Sequence, residues 1–103
     1  MKYKVNITVS AETDILNSFE WGVQNWGVPI AEQWAIQLRK RIKEQLSIFP
    51  LACPLAPDQD LRNPDVRCLM VGRYRVLYEL EGSVVSILHV RGPFLPSDSD
   101  EME

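Results

Sequence analysis

This chain is poor in several residue types, and each shortage closes off a class of function. One histidine, His89, and two cysteines, Cys53 and Cys68, offer no metal-ligand spacing, so no metal is expected. Gly72 lacks the surroundings of a phosphate-cradling loop, and no cofactor is expected either. Scarce cysteine suits a reducing compartment, where Cys53 and Cys68 serve as small buried hydrophobes. No apolar run approaches the ~20 residues that cross a bilayer, and the N-terminus lacks a signal-peptide pattern. A cytoplasmic protein without a membrane partner is expected.

Positive charge is also missing over a long stretch. No Lys or Arg lies between Val5 and Leu38, after which Arg39, Lys40, Arg41 and Lys43 come together. The formal net charge is −3, but Asp98, Asp100, Glu101 and Glu103 fall at the very end, and the rest holds ten acids against eleven bases. Such segregation leaves room for a basic surface on an acidic protein. The 39–43 run reads either as a solvated helix face or as a nucleic-acid contact.

What is present suits one domain with a small core: 103 residues, 46% hydrophobic. Lys2 to Thr8 alternates as a strand does. Ser10 is a suitable N-cap for a helix running to about Asn25, with Ile15, Phe19, Val23 and Trp26 as its apolar stripe. Glu12 and Asp14 suit the positive end of its dipole. Gly27 ends this helix and Pro29 opens a second, whose stripe is Ile30, Trp34, Leu38, Ile42, Leu46 and Phe49. So short a link makes the two an antiparallel hairpin. Residues 50–64 hold four prolines and read as an irregular loop. Val66 to Val71 is a further strand. Trp21, Trp26 and Trp34 read as packing residues rather than a ligand box.

The richest segment is Gly72-Arg73-Tyr74-Arg75-Val76-Leu77-Tyr78-Glu79 with Val84 to Gly92, two strands separated by turn residues. Side chains alternate faces, so register decides which residues meet. A two-residue Glu81-Gly82 loop pairs Leu80 with Ser83 and places Arg75 on the face opposite to that of His89. A three-residue loop, Glu81 to Ser83, pairs Leu80 with Val84 and gathers Arg73, Arg75, His89 and Arg91 on one face. It leaves Tyr74, Val76, Tyr78, Leu80, Val84, Leu88 and Val90 on the other, and we adopt it because it sorts the residues better. The resulting fold class is α+β, in the order β-α-α-β-β-β, with the helical hairpin on one face of a mainly antiparallel sheet. The domain covers 1–96, and 97–103 form an acidic disordered tail.

The residues carry a resemblance to the RelE/ParE superfamily of bacterial toxins from type II toxin–antitoxin pairs, the plasmid stabilisation proteins. It runs from Lys2 to Gly92. Its anchors are Ala11-Glu12-Thr13-Asp14-Ile15, Trp26-Gly27, Ala31 to Ile42, Phe49-Pro50, Cys53-Pro54-Leu55-Ala56-Pro57, Val66-Arg67 with Leu69, Gly72 to Tyr78, and His89-Val90-Arg91-Gly92. The resemblance implies a growth-inhibiting toxin held by a small antitoxin whose C-terminal segment wraps it. RelE-like members cleave mRNA, usually on the ribosome, whereas ParE-like members poison DNA gyrase. The catalytic arginine of the RelE branch matches Arg75. Two lysines that the RelE pattern places on the preceding strand fall on Val66 and Cys68, and the Trp26-Gly27 ending of the first helix is similar to ParE.

Cleaving RNA requires an activated 2′-hydroxyl, charge stabilisation on the phosphorane and a proton for the leaving oxygen. Arg75, His89 and Arg91 are the catalytic candidates, a histidine serving as base or acid and guanidinium groups holding phosphate. Arg73 and Arg67 are candidates for phosphate or nucleic-acid binding, and Glu79 for a base on the same face. The alternative for all of them is structural: surface ion pairs with Glu79, Asp65 or the acidic tail, and His89 an ordinary strand residue. A gyrase-binding inhibitor or an inert interaction module from a decayed pair stands beside the RNase.

Overall fold

Thr8 is where the first strand becomes the first helix. Its hydroxyl accepts from Ala11 N at 3.3 Å, capping the helix, and donates to the Ile87 carbonyl at 2.6 Å. The expected cap, Ser10, lies inside the helix instead. Thr8 is favoured because it also ties the helix start to the sheet. The computed structural model describes residues 2–55 and 66–92. The elements are β1 (Lys4–Ile7), α1 (Val9–Trp26), α2 (Val28–Leu46), β2 (Arg67–Val71), β3 (Tyr74–Glu81) and β4 (Val84–Arg91). The order β-α-α-β-β-β is the expected one. The tail at 97–103 and part of the proline-rich loop lie outside the described residues.

The four strands stand in the order β1-β4-β3-β2. β1 runs parallel to β4, and the β2–β3 and β3–β4 pairs are antiparallel. The last two join through two-residue turns. Gly72 at φ +62° and Gly82 at φ +63° each take the first central place, where a type II′ turn requires positive φ. This corrects the expected three-residue loop, since Glu81 pairs with Val84 and Leu80 with Val85. Register then shifts between Leu77 and Tyr78: Tyr78 faces Ile87 and Leu77 faces His89, leaving Leu88 as an inserted residue.

That insertion decides what the core contains. Val85, Ile87 and Val90 all lie on the helix side with Tyr74, Val76 and Tyr78, rather than the expected Val84, Leu88 and Val90. The helical hairpin covers this face through Ala11 and Ile15 of α1 and Leu38, Ile42 and Leu46 of α2. The buried seam of α1 is Ala11, Ile15, Ser18 and Gly22, a stripe of mostly small residues. A Cβ on Gly22 would stand 3.4 Å from the Ala31 methyl of α2, so small side chains set the close approach of the helices. The larger residues expected there sit at the margin: Trp26, Ile30 and Phe49 are exposed, and Trp26 meets Trp21 edge to face at 5.0 Å. Trp34 stacks at a tilt on Tyr74, also at 5.0 Å.

Tyr78 is the largest fully buried side chain, and its hydroxyl donates to the Pro50 carbonyl. It thereby fastens the segment after α2 to the middle strand of the core. Tyr78→Phe leaves that carbonyl buried without its donor and is expected to destabilise the protein by about 1–3 kcal/mol, read as a lower urea midpoint at unchanged slope.

Candidate functional site

β4 is eight residues long and β1 only four. Pairing between them ends at Ile7 with Ile87, so the last half of β4 continues beyond its neighbour. α1 takes over there. Asp14 Oδ2 accepts the Val90 N–H at 3.0 Å and lies 3.2 Å from His89 Nδ1. The carboxylate thus satisfies a backbone group at the strand edge and an imidazole nitrogen together. The carboxylate is more sheltered than the ring, at 26% against 43% side-chain exposure.

Across the β3–β4 pair, Arg75 stands directly opposite Arg91, and Leu77 opposite His89. Alternation puts Arg75, His89 and Arg91 on the sheet face away from the helices. The expected grouping of these three residues is therefore present, through the Leu88 insertion rather than the expected loop. Arg73 lies in the β2–β3 turn, exposed, not in the strand where the sequence reading put it. Arg67 pairs with Tyr78 and donates from Nη1 to the Cys53 carbonyl at 2.6 Å, which occupies it in holding the loop. Glu79 pairs with Ser86, further along the hairpin.

Beside the cations, Val66, Cys68 and Leu77 are buried in a second apolar cluster with Leu88 packed against it. Tyr78 belongs to the main core, and burial pushes its phenol well up from the ordinary value, with Cys53 adding to the effect. Burial also raises the Tyr74 phenol, opposed by the neighbouring Ser18 hydroxyl. Cys53 and Cys68 are both reduced thiols and buried. Among the described residues no group of His, Cys, Asp and Glu could hold a metal, and no helix is long and apolar enough to cross a membrane.

On the other side of the molecule, Arg39 of α2 grips Glu12 of α1 with two hydrogen bonds, at 2.7 and 3.1 Å. They border an open groove of about 480 Å³ lined by Ile7, Val9, Leu16, Phe19 and Ala35. Lys40 and Lys43 extend the basic edge. Sequence reading missed both uses of the α1 acids and assigned Glu12 and Asp14 to the helix dipole. No signal in the sequence marks these contacts, because the first strand reads as Lys2 to Thr8 there and its shortness beside β4 belongs to the structure.

The fold is thus a four-stranded sheet with one parallel edge, backed by a helical hairpin, with Arg75, His89 and Arg91 on its open face. A family model described as the ParE toxin of the type II toxin-antitoxin system, parDE, matches residues 5–92, and the chain belongs to that family. Among solved structures, the chromosomal ParDE system from P. aeruginosa is similar with a TM-score of 0.76 at 15% identity, covering 88% of this chain and 96% of that one. The RelBE2 toxin-antitoxin complex from Mycobacterium tuberculosis is similar with a TM-score of 0.66 at 20% identity, covering 89% and 92%. No curated protein matches the sequence.

The Glu12–Arg39 pair yields a pH prediction. The hydrogen bonds from Arg39 hold the Glu12 carboxyl below its ordinary value, outweighing a small opposing effect of burial. A depressed carboxyl stabilises the fold above its unfolded pKa, and that contribution is lost as pH falls through its folded pKa. Glu12→Gln is therefore expected to cost no more than about 1 kcal/mol at neutral pH, the range of an exposed pair. Urea titrations of the two proteins should converge as the carboxylate range is crossed downward.

Proposed function

We propose that this ParE-family toxin arrests growth by binding DNA gyrase, acting through the β3–β4 face around Arg75, His89 and Arg91. The observation that carries this reading is the burial of Val66 and Cys68 in the apolar cluster with Leu77. The RelE pattern has lysines at those two positions; here the same positions supply packing. Charge stabilisation of a phosphorane is weakened accordingly, whereas a few arginines and a histidine beside a rigid sheet suit recognition of a protein surface. The family match favours the same branch.

The proposed second partner is a cognate antitoxin. The α1–α2 groove supports this, with Val9 82% and Leu16 53% exposed, and with Arg39, Lys40 and Lys43 at its edge to meet an acidic segment. The place of action is the cytoplasm, where both partners are found. Cleavage of mRNA on the ribosome is the second reading, favoured by His89 beside Asp14 on the face of Arg75 and Arg91. A histidine of that kind transfers protons and the guanidinium groups clamp phosphate.

Expression of the gene alone from a tight promoter separates the readings. Growth arrest with intact mRNA and gyrase-dependent DNA breaks is the expected result. Early mRNA cleavage with normal supercoiling turns the assignment to the nuclease, and normal growth with soluble protein present turns it to an inert interaction module. Arg75→Ala is expected to abolish arrest while leaving the fold intact, read as a retained cooperative urea transition. Leu16→Glu is expected to preserve arrest and to weaken rescue by a co-expressed antitoxin.

A further inference from the structure

Asp14 contributes to neither the core nor the charge of the hairpin, yet one of its oxygens meets two groups of β4. We propose that Asp14 is a positioning residue that fixes His89 as the Nδ1–H tautomer, leaving Nε2 as the ring's acceptor on the face of Arg75 and Arg91. The role rests on the reading that this face carries growth arrest.

The chemistry follows from what each group can do. An ionised carboxylate only accepts hydrogen bonds, so the 3.2 Å contact requires Nδ1 to donate. A neutral imidazole has one N–H, and placing it on Nδ1 makes Nε2 an acceptor. The carboxylate is itself held from two sides. The Val90 N–H bonds the same Oδ2 at 3.0 Å, and Ala11 and Ile15, buried against the sheet, fix that side of α1. Thr8 anchors the start of α1 to Ile87, two residues before His89, through both its backbone N–H at 3.1 Å and its hydroxyl at 2.6 Å. Helix and strand therefore move as one body at this point, and the ring orientation is built into the fold.

A purely structural role for Asp14, capping the Val90 N–H at the strand edge, predicts something different. Asp14→Ala removes the one oxygen that serves both groups, so the ring is left to the Nε2–H form that an unrestrained neutral imidazole prefers, whereas a cap alone predicts an unchanged tautomer. His89 is the only histidine in the chain, so nitrogen NMR of the full-length protein from cell-free synthesis reports one imidazole. At a pH where the ring carries a single N–H, the wild type is expected to show a protonated Nδ1 and an unprotonated Nε2. Asp14→Ala is expected to move the proton to Nε2, with the lost Val90 cap lowering the thermal midpoint by about 4–8 °C. Growth inhibition by the variant should fall at least tenfold.

A wild-type ring protonated at Nε2, or a tautomer unchanged by Asp14→Ala, overturns the proposal. So does a reversed tautomer with full growth inhibition. A His89→Ala variant that arrests growth like the wild type overturns instead the reading of the face, and the imidazole spectra still decide what Asp14 does to the ring.

Discussion

The architecture depends on the single extra residue in β4. A regular antiparallel pair would send Ile87 and Val90 to opposite faces, since three steps along a strand change side. The register shift opposite Leu77 and Tyr78 cancels that change, so Val85, Ile87 and Val90 all reach the helix side. Leu88 is released to pack with Val66, Cys68 and Leu77 on the other face. His89 and Arg91 then emerge beside Arg75. One insertion thus completes the main core, builds the second cluster and assembles the polar site.

The same insertion marks the limit of what the sequence discloses. Element order, the helical hairpin and the α2 stripe of Leu38, Ile42 and Leu46 are legible because they follow from local periodicity and from Gly27 and Pro29 at the break. The apolar identity of Tyr74, Val76 and Tyr78 is legible for the same reason. A bulge has no signature of its own in alternating apolar residues, so β4 reads as one uninterrupted strand, and its inward residues come out one position wrong on half its length. The α1 stripe is misread for a related reason. Hydrophobicity favours Phe19, Val23 and Trp26, but close helix packing selects Ala11, Ser18 and Gly22, whose value is their small volume.

The candidate site divides along the same line. Arg75, His89 and Arg91 are recoverable from the resemblance to toxins of this superfamily, while alternation groups them only because the expected three-residue loop changes the phase of β4 as the Leu88 insertion does. Arg67 is recoverable as a residue but not in its position, because its partner is the Cys53 carbonyl of a loop that no pattern places. Asp14 is hidden altogether: its partners lie 75 and 76 residues away along the chain. Its contact arises because a short strand stops and a helix continues beside the same neighbour. Interactions of that sort belong to topology, and no local window contains them.

The parallel pairing of β1 with β4 joins Lys4–Ile7 to Val84–Ile87, nearly the whole length of the domain apart. Contacts so distant in sequence close late, since the chain between them must be ordered first. During synthesis, β1 is made early and waits without its partner until β4 has left the ribosome. The hairpin of helices lacks its sheet for the same interval, and the arginine–histidine face does not exist. This order of events is a delay written into connectivity: whatever the arginine–histidine face binds, it can bind only once the last strand is in place.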